Sequence, residues 1–265
     1  MPASDPPFGS SPPPPASSPA PAAAPPSPLK EALVVFALAI AAAATLYHLS
    51  FVVPYLDQAL HFFVALVFLA APTLVARRRG EDLVDYGFTR KPLLKGLAYG
   101  LVPLLVIFPL FIAGYVLFYE VICANPAGLG VLAPPGFCRH FAGWDALADP
   151  RLPKGPLDFI AGQLVVVALP EELFFRGYLL KRLEEAFPPK RRLLGGGVGW
   201  ALLLSAGLFA LGHVLVDLDP RRLAVFFPGL LFGWMRSATG SILAGTLAHA
   251  SSNVFIELLN RTFLH

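Results

Sequence analysis

The chain has 265 residues, of which 56% are hydrophobic and 14% charged, with a formal net charge of +3. Soluble domains carry about 25% charged residues, so the deficit, together with 22 Phe, excludes an ordinary soluble globule and points to a membrane protein. The small net charge, with no basic stripe interleaved with aromatics, excludes nucleic acid as a partner.

In chain order, residues 1–28 come first and read MPASDPPFGSSPPPPASSPAPAAAPPSP. They contain neither the basic n-region nor the apolar h-region of a signal peptide. Their composition predicts a disordered, partly polyproline extension, because so little apolar surface cannot offset chain entropy. From residue 29 to 265 the expectation is one all-α, polytopic transmembrane helix bundle. A span needs about 20 apolar residues, and the hydropathy pattern predicts about seven: 32–53, 58–76, 97–119, 157–180, 198–216, 223–235 and 241–259.

Basic residues orient these spans. Arg77, Arg78, Arg79, Arg90, Lys91 and Lys95 lie between the second and third, and Lys181, Arg182, Lys190, Arg191 and Arg192 between the fourth and fifth. The positive-inside rule makes both segments cytoplasmic and places the N-terminus inside. Arg221 and Arg222 then fall outside, as exceptions. The outer loop 120–156 holds both cysteines, Cys123 and Cys138. An oxidising compartment would allow them to bridge, which contributes about 3 kcal/mol in the chain-entropy picture. The Gly-rich GGGVGW at 195–200 lacks the Lys and Ser/Thr of a phosphate loop; it is expected to let the fifth span begin and to approach a neighbour closely.

Ionisable residues within a span are costly and are candidates for function. Near mid-span stand Glu171, Glu172, Arg176, His213, His249 and Asn253, while His48 and His61 sit nearer the ends of the first two spans. Glu172 and Arg176 are four residues apart, so they share a helix face and can pair as structural glue. Glu171 is turned about 100° away and needs another role. Pro170, just before it, removes a backbone donor and can kink the helix. His249 and Asn253 again share one face. A carboxylate, two imidazoles and an amide from three helices form a plausible water-activating set, with Glu as base and the other groups as donors to an oxyanion. Spacing alone leaves other readings open: core histidines, two axial haem ligands, or a Glu and two His on zinc, although no HExxH occurs.

The motifs themselves carry a resemblance. EELFFR at 171–176 fits EExxxR, FALGH at 209–213 fits FxxxH, and HASSN at 249–253 fits HxxxN. In this order, on successive apolar helices, they resemble the CPBP family, the CAAX-protease and bacteriocin-processing group of intramembrane glutamic endopeptidases. The resemblance covers residues 157–259. It implies that Glu171 activates water with His213, that His249 and Asn253 stabilise the oxyanion, and that Glu172 and Arg176 support the motif. It implies no metal and no cofactor, with zinc as the alternative. The implied partners are the lipid bilayer and a membrane-associated protein or peptide, cleaved during processing or sorting. The charge layout is read as that of a multi-pass protein of a bacterial inner membrane, so an exported protein's membrane-proximal tail is expected rather than a prenylated CAAX protein. Two other function classes stand beside this one. The first is a non-enzymatic bacteriocin-immunity or other membrane binding protein. The second is a transporter or haem carrier, although inverted repeats are not visible.

Overall fold

The computed structural model describes residues 27–264, apart from 126, 129, 131, 132, 134 and 135. The expected disordered tail lies, up to residue 26, outside the described residues. The first helix begins where local chemistry favours it: the Ser27 hydroxyl accepts from the Lys30 amide at 3.4 Å and Pro28 occupies the first turn, an N-cap followed by a residue with φ already set for a helix.

Seven helices follow among the described residues: α1 (Pro28–Leu49), α2 (Leu56–Arg79), α3 (Leu93–Cys123), α4 (156–186), α5 (Trp200–Asp217), α6 (Phe226–Thr239) and α7 (Leu243–Phe263). The helical fold is as expected, with one addition. Strands β1 (Arg191–Leu193) and β2 (Gly196–Val198) form an antiparallel hairpin. Its glycines do permit close approach, but to α6: a Cβ on Gly196 would lie 2.4 Å from the Trp234 ring, and the Gly197 amide donates to Ser237 at 2.9 Å.

By length and apolar content, α1, α2, α3 and α5 can each cross a membrane. The helices bearing the polar motifs differ in kind. Helix α4 is interrupted by charges, α7 by His249, Asn253 and Glu257, and the 14 residues of α6 reach only about 21 Å against a hydrocarbon core of roughly 30 Å. Large apolar side chains face outward on α1 and α3, with Leu38, Leu105 and Leu110 about two-thirds or more exposed, as suits lipid contact. The chain is a multi-pass membrane protein.

Helix α4 is the centre. Aromatic rings pack around it from three neighbours: Phe68 of α2 stacks on Phe174 at 5.0 Å, Phe209 of α5 meets Phe175 edge-on at 4.9 Å, and Phe36 of α1 lies 6.4 Å from Phe175. On the far side, α3 closes on α7 through small residues, and a Cβ on Gly100 would come within 2.8 Å of the Ala244 carbonyl oxygen, the close backbone packing typical of membrane helices. Along α4 the hydrogen-bond ladder changes. Gln163–Ala168 and Leu173–Leu179 are π-helical, flanking the α-helical Leu169–Glu172 that contains Pro170. The disturbance expected at Pro170 takes this form: the wider turns make room for its ring and its missing donor.

The two ends of the bundle differ. At one, fully buried Arg182 bonds Glu185 at 2.7 Å and the Tyr86 hydroxyl at 2.9 Å, pairs with Glu81, and approaches Glu31 at 3.5 Å. Arg79 bridges Glu31 and Glu81 at 3.0 Å each, and Lys181 reaches Glu81 at 3.2 Å. Three cations thus meet three anions. Burial pushes the Glu81 carboxyl up, but hydrogen bonds from Arg79, Tyr86, Arg182 and Lys181 outweigh it and hold it at about 2. Arg79, Lys181 and Arg182 are therefore structural as well as topological. At the other end Arg221 pairs with Asp219 and Arg222 with Asp217, each at 2.6 Å, so the two exceptions to the charge rule are neutralised locally. Cys123 and Cys138 are bridged, with Cα atoms 5.3 Å apart. The segment they anchor is tied to the end of α7 by the Ala142 amide on the Phe263 carbonyl at 2.9 Å and by the Arg151 amide on Thr262 at 3.3 Å.

Candidate active site

The π turns of α4 set which residues share its inner face. In a regular helix the eight residues from Gln163 to Glu171 turn the chain about 80° past two full turns. A π turn absorbs one extra residue, which leaves the two side chains only about 20° apart. Both therefore face α7.

Glu172 is fully buried, and one of its oxygens serves two partners. Oε1 lies 3.2 Å from Arg176 Nη1 and 3.1 Å from His249 Nδ1. The expected Glu172–Arg176 pair is present, and Arg176 also donates to the Gly229 carbonyl at 3.4 Å while its guanidinium sits 3.9 Å over the Phe209 ring. The contact with His249 was not legible in helical spacing, because it crosses from α4 to α7. It fixes the imidazole: Nδ1–H donates to the carboxylate and Nε2 turns inward. Phe232 of α6 stacks on the same ring at 5.2 Å. Glu172 Oε2 stands against Gly245, where a Cβ would lie 2.6 Å away.

His213 is oriented in the same manner. Its Nδ1 lies 2.9 Å from the Phe209 carbonyl, which can only accept, so Nδ1 carries the proton and Nε2 is free to accept. Both inward nitrogens converge on one atom. His213 Nε2 and His249 Nε2 each lie 3.9 Å from Glu171 Oε2, and that oxygen is buried with no hydrogen-bond partner. These separations exceed a direct hydrogen bond and are of the size that a water oxygen spans.

Asn253 completes the set from one turn along α7, donating through Nδ2 to Gln163 Oε1 at 2.9 Å. Gln163 is the site residue that sequence reasoning passed over; its one signal was an amide in the apolar run GQLVVVA. Beside the centre lies a cavity of about 240 Å³ that touches Glu171 and His213.

Zinc would draw ligand atoms at about 2.0–2.1 Å from the ion to roughly 3.4 Å from one another. The Glu171 and histidine atoms stand further apart, and among the described residues no three His, Cys, Asp or Glu side chains are grouped to hold a metal. No step of the proposed chemistry passes through a metal.

Residues 153–255, which include all three motifs, match the family model for type II CAAX prenyl endopeptidase Rce1-like proteins. Over these residues, about two-fifths of its length, the chain is similar to that family, which lies within the CPBP group. The CPBP match begins just ahead of α4 and ends within α7, so it takes in the helices that meet at Glu171 and leaves out α1 to α3. The matched family is one of endopeptidases. Comparisons with curated proteins and with solved structures return no match.

Proposed function

We propose that the protein is an intramembrane endopeptidase that hydrolyses a peptide bond in a membrane-associated protein or peptide, using water activated by Glu171 and His213. The observation that carries this reading is the buried, unpartnered Glu171 Oε2, with two inward imidazole nitrogens at 3.9 Å.

A water at that point donates one hydrogen bond to Glu171 and the other to His213 Nε2, which leaves a lone pair for the scissile carbonyl carbon. As the C–O bond forms, Glu171 takes the proton. The carbonyl oxygen becomes an oxyanion, which receives hydrogen bonds from protonated His249 Nε2 and from the Asn253 amide hydrogen not used by Gln163. Glu172 balances the imidazolium, as the carboxylate does in a serine-protease triad. Glu171 then gives its proton to the departing nitrogen as the C–N bond breaks, yielding an amine and a carboxylic acid, which ionises once released. Because Arg176 neutralises one glutamate and the imidazolium the other, the reacting centre holds no net charge in a dry bundle.

The test compares membrane proteomes of cells carrying the parent chain and cells carrying Glu171→Gln at equal abundance. Precursors that persist only in the variant support the peptidase and identify its substrates. Identical proteomes, or purified Glu171→Gln that still cuts every parental substrate, would overturn it.

A further inference from the structure

The cavity beside Glu171 has a direction. Its inner wall is buried and apolar, formed by Ala43, Phe68 and Phe175. Its other end is formed by Tyr47 near the end of α1, Leu60 and His61 near the start of α2, and Asp217 at the end of α5 with Arg222 just beyond. His61 and Arg222 are exposed. These pieces lie at one end of the bundle, opposite the end where the start of α1 meets the end of α2 through Glu31 and Arg79. The Asp217–Arg222 ion pair marks the mouth as a water interface, since charges of this kind are not left in hydrocarbon. Along α5 the mouth is near: His213 is four residues, about 6 Å, from Asp217, and thirteen residues, about 20 Å, from Trp200.

The opposite route is obstructed. Below Glu171 stand the buried rings of Phe174, Phe175, Tyr178 and Tyr86, and beneath them the Arg182 ion cluster. A second cavity, of about 350 Å³, does open at that end beside Thr89 and Arg90. It reaches Leu169 and Thr246 but touches none of Glu171, His213, His249 and Asn253.

We propose that the substrate reaches Glu171 through the cavity between α1, α2 and α5, from the face opposite the Arg-rich connections, and is an extracytoplasmic juxtamembrane segment that presents a bulky apolar side chain beside the scissile bond. The proposal rests on the endopeptidase reading above. The face follows from the positive-inside rule applied to Arg77, Arg78, Arg90 and Lys91, and the side-chain class from the apolar wall of Ile40, Val64 and Phe68. The Cys123–Cys138 bridge stands at the same end, as an oxidising compartment would allow.

The experiment places a cysteine at either opening of the full chain, His61→Cys or Arg90→Cys; the native cysteines are bridged and do not react. Right-side-out membrane vesicles are treated with a membrane-impermeant maleimide, before or after permeabilisation. The expected result is labelling of His61→Cys in sealed vesicles and of Arg90→Cys only after permeabilisation. Cleavage of the precursors identified with Glu171→Gln is then expected to fall at least tenfold when His61→Cys carries a bulky adduct, relative to the same variant unlabelled, and to be unaffected by the adduct on Arg90→Cys. The reverse pattern in either readout overturns the proposal. Leu60→Cys, on the same rim, replaces His61→Cys should that variant not accumulate. Labelling reads access without catalysis, so a failed entry route and a failed peptidase assignment give different results.

Discussion

A single methyl group at position 245 would meet Glu172 Oε2 at 2.6 Å. Gly245→Ala is therefore expected to push Glu172 off both His249 and Arg176 and to lower the cleavage rate about 10–100-fold, the usual cost of losing a group that orients a catalytic ligand, with membrane insertion retained. Glu172→Gln keeps the shape but removes the charge, leaving Arg176 buried and unpaired. It is expected to cost roughly 3–5 kcal/mol of stability, read as unfolding in detergent, on top of its effect on turnover. Prolonged treatment with a strong chelator is expected to leave the cleavage rate unchanged, and lost activity restored by zinc would refute the metal-free mechanism. Glu171, Glu172, Arg176, His213 and His249 were legible because a charge or imidazole in an apolar helix stands out, and Asn253 because it shares a helix face with His249. Gln163 was not, since an amide is a weak signal, and Gly245 was not, since its role is to leave room for a carboxylate on another helix.

Among the elements, the junction of α1, α2 and α4 is where stability couples to pH. Glu81 is held at about 2, below its ordinary 4.5, by Arg79, Tyr86, Arg182 and Lys181 against the cost of burial. A depressed carboxyl stabilises the fold above its unfolded value, and that stability is lost as pH falls from about 4.5 toward 2. The detergent-solubilised protein should lose thermal stability across that window, and Glu81→Gln should be less stable at neutral pH with a flatter acid dependence. At the opposite end, reduction of Cys123–Cys138 is expected to cost up to about 3 kcal/mol for a loop of this size, seen as a lower unfolding temperature under reductant. In α4 the register depends on residue number. Removing Val166 would return the π turn to a plain helix and rotate Gln163 about 100° away from Asn253, so the deletion should reduce cleavage where Val166→Leu does not. Helices α1 to α3 and α5 were legible to within a few residues, because hydropathy alone defines them. The π turns were not, as no side-chain pattern distinguishes an absorbed residue from an ordinary one. Neither was the hairpin of three-residue strands, which rests on its contact with Trp234.

Across the whole molecule, the helices outside the CPBP match do more than fill the membrane. Helices α1 and α2 supply half of the cavity wall, and Glu31, near the start of α1, and Glu81, just past the end of α2, supply two of the three anions around Arg182. Their contribution was illegible because it consists of apolar walls and end charges without a motif. The ion cluster also has a history in time. Glu31, Arg79 and Glu81 are made early, whereas Arg182 follows Glu81 by 101 residues, roughly 5–20 s at ordinary rates of synthesis. Until Lys181 and Arg182 arrive, the nascent amino-terminal pair carries two carboxylates and one guanidinium, one positive charge short. A ribosome stalled before residue 181 would thus hold a hairpin unable to bury its own ends, exposed to the quality-control proteases of the membrane. The arrival of two neighbouring cations, Lys181 and Arg182, would mark the moment at which the new chain can close.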